Sequence, residues 1–325
     1  MKWALAYLFR RMAHGLLLLL GVSLVSFTLL DLAPGDFYSR LSLDPHVSPE
    51  AIAALRSSHG LTKTLPARYL HWVGGALRGD LGYSLAYEIP VAPLLWARTR
   101  NTLLLTVTSG TLAWLLGIPL GALAAASGGR GKVVFGSVTA GLLATPELVL
   151  SLLVLLLVVR TGLLPAGGMT SSGHDLMSLP ERIRDVLAHM AVPVLILTAG
   201  SLPVILRHAE AGIGEALDAP FIVAVRACGL SPARILFRYA LPMAANPLLS
   251  LGGLTVAALL SESLLLENIV SWPGLGPLLV EAVLSKDLYV VVGGVMLTSL
   301  FLIAGNLAAD LLQYFFDPRL RQEER

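Results

Sequence analysis

The sequence predicts an all-α integral membrane protein with six transmembrane helices. Of its 325 residues, 55% are hydrophobic and only 14% are charged, whereas a soluble domain carries about 25% charged residues. The mean hydropathy is +0.76, which indicates that lipid surrounds much of the chain. Six stretches qualify or nearly qualify as the ~20 apolar residues that a helix needs to cross the hydrocarbon core. They are 12–30, 102–127, 133–159, 186–206, 241–266 and 288–309.

The first apolar stretch has two interpretations, because Lys2, Arg10 and Arg11 precede it as they would precede the core of a signal peptide. That core usually spans about 7–15 residues and ends at a small-residue cleavage site. The stretch 12–30 is longer, and no clear A-x-A site follows it. We therefore interpret it as a retained membrane span.

The distribution of lysine and arginine predicts the orientation, since these residues are enriched in cytoplasmic loops. With the N-terminus in the cytoplasm, the inner segments hold Lys2, Arg10, Arg11, Arg130, Lys132, Arg207, Arg226, Arg234, Arg238, Arg319, Arg321 and Arg325. The short outer segments then hold Arg160, Arg182, Arg184 and Lys286. The prediction is six spans with both termini in the cytoplasm.

The segment after the first span is too long for a simple connection, and it falls outside in this topology. Within it, 48–59 reads as a short helix with Ser48 as N-cap, Pro49 at the first helical position and Gly60 at the stop. Tyr69, Trp72 and Val73 have the spacing of one helical face. The segment is expected to form a small folded subdomain.

These features divide the chain into four predicted regions. An N-terminal transmembrane helix occupies 1–31, the external subdomain 32–100, a core with five transmembrane helices 101–318 and a cytoplasmic tail 319–325. The core includes a long cytoplasmic loop at 208–240.

The cytoplasmic loop begins with an apolar stripe at helical spacing. Its members are Ile213, Leu217, Phe221, Ala224 and Cys228. Pro220 should break or restart the helix, because proline lacks the N–H and clashes with the preceding turn. Either Asp218 or Ala219 can cap the restarted helix.

The second half of the loop contains a turn and another helix start. Gly229 suits the position after a helix, where φ is positive, and Ser231–Pro232 then forms an N-cap followed by the first helical residue. The new helix runs toward Pro242. Such an insert is equally consistent with a helix on anionic lipid and with a docking element for a cytoplasmic protein.

The stretch from Gly229 to Pro242 resembles the loop signature of binding-protein-dependent ABC importer permeases. The signature reads E-A-A, three residues, G, nine residues and I-x-L-P, and Gly229, Leu241 and Pro242 match it. The acidic position is Val223 here, a departure typical of the dipeptide and oligopeptide branch, which resembles EVLRxDYVRTARAKGLS. This chain has EALDAPFIVAVRACGLS, with Pro220 in place of the branch's usual acidic residue.

Further blocks along the chain are similar to the same family. They are LAPGD at 32–36, GDLGYS at 79–84, GIPLGALAA at 117–125, LLPAGG at 163–168, ENIVSWPGLGPLL at 267–279, NLAADLL at 306–312 and DPRLR at 317–321. Their order and spacing resemble the permease that carries an external subdomain after its first span.

The resemblance implies a type I ABC importer permease fold and a place in the bacterial plasma (inner) membrane. It implies four partners besides the lipid bilayer: a second, homologous permease, two ABC ATPase subunits and an external solute-binding protein. The ATPases would bind ATP and Mg²⁺, so that this chain itself holds no cofactor and is not an enzyme. Peptides are the favoured substrate, although related permeases carry nickel chelates and sugars.

The resemblance also implies which residues of the loop couple the chain to the ATPases. They are Glu215, Ala216, Leu217, Phe221, Ala224, Arg226, Gly229 and Leu230. Motion of the ATPases would push this element and switch the spans between inward- and outward-facing states.

Glu147 and Glu262 lie within predicted spans and Glu267 follows the fifth span directly, and an ionised side chain inside a membrane is costly and usually faces a cavity or a partner. Glu267 matches a family glutamate and is interpreted as support for the SWPGLG turn. Glu147, which follows Pro146, and Glu262 fall where the family more often has small or neutral residues. We hypothesise that they line the translocation path and favour substrates with a positive group. An internal hydrogen bond, or protonation, is the alternative.

Other function classes find little support. GGRGKV at 128–133 lacks the glycine and the hydroxyl residue that a Walker A motif requires at Ala126 and Val133. The sequence contains no catalytic constellation and no metal-ligand spacing. Cys228 is the only cysteine, so no internal disulfide can form. The net charge of +2 is too small to indicate binding of nucleic acid. An ion-coupled secondary transporter would show an inverted repeat, and a membrane protease would show paired catalytic residues within its spans. Neither is visible.

Overall fold

A computed structural model describes residues 2–39, 48–58 and 62–316 of the chain. Its α-helices are α1 (Lys2–Leu32), α2 (Pro49–Ser58), α3 (Leu65–Ala76), α4 (Val91–Ala126), α5 (Arg130–Ala144), α6 (Glu147–Thr161), α7 (Leu179–Leu217), α8 (Pro220–Ala227), α9 (Pro232–Ile235), α10 (Leu241–Ile269), α11 (Leu275–Ser285) and α12 (Leu288–Phe316). Short 3₁₀ helices occupy Phe37–Ser39 and His174–Leu176, and a π-helical segment occupies Leu236–Ala240. The predicted all-α class is confirmed.

Five helices are long and apolar enough to cross a membrane, and the bent pair α5–α6 makes a sixth span when it is counted as one. The helices extend beyond the apolar runs, most clearly in α4 and α7. The predicted helix stop at Gly60 and the predicted tail 319–325 lie outside the described residues.

The third span differs from its prediction as one continuous stretch, 133–159. It is broken at Thr145 and Pro146, where α5 and α6 meet at 98°. Both residues are extended, with ψ of 115° at Thr145 and 138° at Pro146. A residue before proline avoids the α region, because the proline ring clashes with its backbone. The break places Glu147 at the first position of α6.

The helices belong to two compact units. The first comprises Met1–Asn101 and Gly274–Phe301, and the second comprises Thr102–Pro273 and Leu302–Arg325. In the second unit α7 packs along α10 and also against α5 and α6. One cluster of buried residues in this core contains Ala122, Ala209, Ile213, Ala244 and Leu248.

Gly117 and Gly121 of α4 form a G-x-x-x-G motif, a spacing that allows two helices to approach closely. Here the two glycines face α7. A Cβ at Gly117 would lie 2.6 Å from Ile205 Cγ2, and one at Gly121 would lie 2.5 Å from Ala209 Cβ and 2.8 Å from the Leu206 carbonyl oxygen. Packing within the chain therefore accounts for the motif.

Gly121→Ala is expected to destabilise the protein by about 1–3 kcal/mol, because backbone as well as side chains must move to admit the methyl group. The midpoint of thermal unfolding of the purified protein measures this loss. Gly141→Ala is the matched control, because this helical glycine of α5 has no atom within 4 Å of an added Cβ. The control should be neutral or stabilising, and equal losses in both variants would contradict the packing explanation.

The first unit is built around the residues that α3 presents on one face. Trp72 and Phe27 are buried with Val292, and Tyr69 and Val73 pack against them, which confirms that Tyr69, Trp72 and Val73 share a face. Trp72 Nε1 donates to the Leu81 carbonyl oxygen at 3.0 Å. This part of the chain is therefore a folded structure rather than an extended connection.

Polar contacts fix the segments around this core. Ser48 caps α2, accepting the backbone N–H of Ala51 at 3.2 Å, as predicted.

Tyr87 donates its hydroxyl to the Glu281 carboxylate. Burial, and then this hydrogen bond, raise the pKa of Tyr87 to about 12, so the phenol keeps its proton at physiological pH.

Candidate coupling element and membrane carboxylates

The predicted coupling element begins where α7 ends. Leu217 is the last residue of α7, Ala219 is extended with ψ of 138°, and Pro220 opens α8. The backbone N–H of Ile222 donates to the Ala219 carbonyl oxygen at 2.9 Å. Of the two caps predicted for the restart, the structure uses Ala219. Proline favours this first position, because its missing N–H has no intrahelical partner there.

A tight turn follows α8, as the sequence predicts. Gly229 has φ of +77°, and its N–H donates to the Arg226 carbonyl oxygen at 2.9 Å. No atom lies within 4 Å of the position that a Cβ would take there. Glycine is therefore required for the backbone conformation and not for space. Ser231 then caps the next helix by accepting the N–H of Arg234 at 3.4 Å, with Pro232 at the first position.

The second helix of the loop does not stop before the membrane. The described backbone is helical from Pro232 to Ile269, through α9, the π segment and α10. Within the π segment the N–H of Leu241 donates to the Leu236 carbonyl oxygen, five residues back. Pro242, which has no N–H, follows at once. The turn at Gly229 is thus connected to the fifth span by one helical rod.

The prediction of a single apolar stripe from Ile213 to Cys228 is wrong. Ile213 is fully buried on α7, whereas Phe221 is 43% exposed and Ala224 and Cys228 are exposed. The residue that anchors α8 in the protein is Ile222, which is fully buried. The extended backbone at Ala219 interrupts the helical phase, so spacing counted across it does not describe one face.

The loop presents a mixed surface of apolar and charged side chains. On α8 the exposed residues include Phe221, Val223 and Arg226, with Val223 63% exposed. Glu215 on α7 is also exposed, whereas Ala216 is buried. Tyr239 lies beside Phe221, with 6.5 Å between the ring centroids.

A cleft of about 450 Å³ lies next to this surface. Leu217, Arg226 and Leu230 line it together with the end of α4 at Ala125 and Ala126. The structure thus brings together the predicted residues from the end of α7 and from both sides of the Gly229 turn. Phe221 and Ala224 lie on the exposed surface of α8 instead.

Glu147 and Glu262 lie on neighbouring helices of the second unit. They are on α6 and α10, which pack against each other and against α7. Glu147 Oε1 and Glu262 Oε2 are buried without a hydrogen-bond partner among the described residues. Gly200 on α7 lies beside Glu262, with its Cβ position 3.8 Å from Glu262 Oε2.

Glu267 has a different environment. It is fully buried, and its carbonyl oxygen accepts the N–H of Trp272 at 2.9 Å. Trp272 is itself fully buried, and the carbonyl oxygen of Val270 accepts the N–H of Gly168 at 2.9 Å. The backbone of Glu267 thus stands at the base of the SWPGLG turn, and support of the turn by its side chain stays a prediction. Within the described ranges, no group of three or more His, Cys, Asp or Glu side chains could hold a metal ion.

Comparison with known families gives two matches that follow each other along the chain. Residues 117–322 match the profile of the "Binding-protein-dependent transport system inner membrane component". Residues 4–106 match that of the "Binding-prot-dependent transport system membrane comp, N-term".

Individual proteins match over nearly their whole length. The chain is 31% identical to the oligopeptide transport system permease protein AppB of Bacillus subtilis (strain 168), over 97% of this chain and 99% of that protein. It is 32% identical to the dipeptide transport system permease protein DppB of Escherichia coli (strain K12), over 98% and 100%. Among solved structures, a chain of the MetNI methionine ABC transporter in an inward-facing conformation matches with a TM-score of 0.55. The identity is 21%, and the match covers 69% of this chain and 96% of that one.

Proposed function

The chain belongs to the family of binding-protein-dependent transport system inner membrane components, and from this premise we propose that it is the permease subunit of an ABC importer for di- or oligopeptides. The observation that carries the proposal is its match over nearly its full length to relatives named as oligopeptide and dipeptide permeases. The all-helical fold with up to six spans agrees with a subunit that forms part of a membrane channel.

The working importer would contain further subunits. We propose a second, homologous permease, two ATPase subunits that bind ATP and Mg²⁺ and hydrolyse the ATP, and an external solute-binding protein. The assembly would lie in the bacterial inner membrane, with both termini of this chain in the cytoplasm.

We propose that α8 and the Gly229 turn form the element on which an ATPase subunit docks. The helix has eight residues and buries Ile222 in its own chain, while Phe221, Val223 and Arg226 remain outside. A helix adapted to lie on lipid would be expected to carry its large apolar residues on one lipid-facing side. The mixed outer surface supports docking on a protein instead.

The helical connection from Pro232 to Ile269 offers a route for coupling. A push on the Gly229 turn would act on α9, and the rod would carry it through the π segment into α10. α7 enters the same element at Leu217 and packs along α10. Rigid-body movement of α7 and α10 would then switch the permease between its inward- and outward-facing states. The switch would occur because ATP-bound and ATP-free ATPase subunits make different contacts with the coupling element.

Glu147 and Glu262 are proposed to line the translocation path and to favour substrates with a positive group. Glu147 Oε1 and Glu262 Oε2 are buried without a hydrogen-bond partner among the described residues, and an ammonium group would satisfy them. The side-chain ammonium group of a lysine-containing peptide supplies such a group.

Reconstitution into proteoliposomes tests the proposed function. Uptake of radiolabelled dipeptide is expected only with the second permease, the ATPase subunits, the binding protein and ATP all present. Uptake that persists without ATPase subunits, or that follows an imposed proton gradient, would overturn the proposal in favour of an ion-coupled transporter. ATP-dependent uptake of a sugar or a nickel chelate, but of no peptide, would contradict the substrate.

A further inference from the structure

An apolar groove with a volume of about 490 Å³ lies between three helices of the second unit. α4 lines it with Trp114 and Ile118, α12 lines it from Gly305 onward, and α10 lines the rest. These three helices are long and apolar enough to cross a membrane. Every described residue that lines the groove is hydrophobic or glycine, so the groove suits hydrocarbon and offers no partner to the charged ends of a peptide. It does not include Glu147 or Glu262.

Close contacts hold α4 and α12 against α10 beside the groove. A Cβ at Gly252 of α10 would lie 3.9 Å from Trp114 Cζ2, and a Cβ at Gly305 of α12 would lie 2.7 Å from Val256 Cγ1. Small residues thus let both neighbours approach α10. The groove therefore belongs to the packing of this unit.

The groove is long and narrow. Its lining positions on α10 run from Leu241 to Val256, which is about 22 Å along the axis of an α-helix. Its volume of about 490 Å³ over this length corresponds to a mean cross-section of about 22 Å². A helix with its side chains is about 10–12 Å across, which gives roughly 80–110 Å². The space therefore suits one hydrocarbon chain rather than a helix of a partner subunit.

The end of the groove at Leu241 is next to exposed basic and aromatic side chains. Arg234, Phe237 and Arg238 precede Leu241 within two helical turns, and all three are exposed, Phe237 by 68%. The apolar run of this span begins at Leu241, so Arg238 lies about 4–5 Å beyond the hydrocarbon core, within a headgroup layer of about 5–8 Å. The side chains of Arg234 and Arg238 form no ion pair with any described residue. This end thus carries positive charge that a lipid phosphate would neutralise.

We propose that this groove binds an anionic phospholipid of the phosphatidylglycerol type, with one acyl chain in the groove and the phosphate at Arg238 and Arg234. One leaflet of the hydrocarbon core is about 15 Å thick, so a groove of about 22 Å holds an acyl chain along its whole depth in the leaflet. Phe237 then contacts lipid instead of water, which removes the cost of its exposure. The site does not depend on the transported solute, so it stands or falls separately from the proposed function.

Native mass spectrometry of the full-length protein in detergent tests the proposal. Phosphatidylglycerol and phosphatidylethanolamine with the same acyl chains are added in turn. The protein is expected to retain phosphatidylglycerol saturably and at least tenfold more strongly, because each arginine at an anionic headgroup strengthens binding about fivefold. Equal binding of the two lipids would overturn the proposal.

Two variants locate the acyl chain. Ala245→Trp on α10 and Ala308→Trp on α12 each place a large side chain in the groove, and each should weaken binding of phosphatidylglycerol at least tenfold. Ala308→Trp carries the test if the other variant fails to fold. Leu254→Trp is the matched control, because Leu254 of α10 is 66% exposed and does not line the groove; it should bind normally. Unchanged binding in both groove variants would contradict the proposed site.

A charge variant locates the headgroup. Arg234→Gln/Arg238→Gln should lower the preference for phosphatidylglycerol over phosphatidylethanolamine to within about twofold, because the groove still holds the acyl chain of either lipid. Arg160→Gln/Arg184→Gln is the control, since it also removes two exposed arginines of the same unit, near the end of α6 and the start of α7. The control should keep the preference. A full preference in Arg234→Gln/Arg238→Gln would refute the headgroup site.

Photo-crosslinking identifies the occupant of the groove in the membrane. With p-benzoyl-phenylalanine in place of Ala308, irradiation of the transporter in its native membrane is expected to attach a phospholipid to this chain. Mass spectrometry of the purified adduct measures its headgroup. A crosslink to the homologous permease without any lipid adduct would show that a partner subunit fills the groove, and the proposal would be wrong.

Discussion

Gly229→Pro is expected to give a protein that inserts and assembles normally but couples ATP hydrolysis to transport at least tenfold less well. Proline fixes φ near −65°, whereas Gly229 has φ of +77°. The substitution also removes the N–H that donates to the Arg226 carbonyl oxygen. The turn must therefore change direction, and α8 can no longer hold its position against α9. ATP-driven peptide uptake and ATPase activity in reconstituted complexes measure the loss.

A graded series distinguishes backbone strain from lost packing. Because nothing lies within 4 Å of an added Cβ at Gly229, a steric clash does not contribute. Asn tolerates the left-handed region, so Gly229→Asn should retain most transport. Ala at such a position costs roughly 1–2 kcal/mol, and Gly229→Ala should lie between Asn and Pro.

Gly129→Pro is the control that tests whether the effect is specific to the turn at Gly229. Gly129 also has positive φ, at +52°, and also has open space around it, but it lies before α5 and outside the proposed docking element. Its variant should keep coupling within about twofold of wild type. Unchanged transport in Gly229→Pro, or equal losses at both glycines, would refute docking at this turn.

The features that the sequence predicted well depend on a few adjacent residues. Ser48 and Ser231 are caps, Pro49, Pro220 and Pro232 open helices, and Gly229 takes positive φ, because each role follows from local backbone chemistry. The apolar runs predict the spans for the same reason, since a lipid environment demands about 20 apolar residues in succession.

The features that the sequence did not predict depend on the angle between helices, on the helical phase across a break, or on contacts between residues that are distant along the chain. Proline after Thr145 predicts an interruption, but the 98° angle between α5 and α6 depends on what the two helices pack against. The apolar stripe failed because two extended or turn residues, Asp218 and Ala219, shift the helical phase. Nothing in the local sequence indicated that Phe221 lies beside Tyr239 or that the helices of Glu147 and Glu262 pack against each other, since these partners are separated along the chain.

Replacing both membrane carboxylates, in Glu147→Gln/Glu262→Gln, is expected to slow uptake of peptides with an added cationic group about tenfold or more while neutral peptides lose much less. A hydrogen bond to a charged group contributes about 1.5–3 kcal/mol, and a tenfold change corresponds to about 1.4 kcal/mol. Gln is nearly isosteric with Glu, so the helices around Gly200 should keep their packing. Competition between lysine-containing and alanine-containing dipeptides in the same vesicles measures the ratio directly.

The ratio, rather than the absolute rate, decides whether the pair contacts the substrate. If Glu147 and Glu262 serve only the structure, with a proton or a water between them, the double variant will lower uptake of both peptides equally. Glu210→Gln on α7 is the control, because this half-buried glutamate lies on a helix of the same unit but outside the proposed path; it should leave the ratio unchanged. Each single variant should give part of the effect, since one remaining carboxylate still attracts an ammonium group.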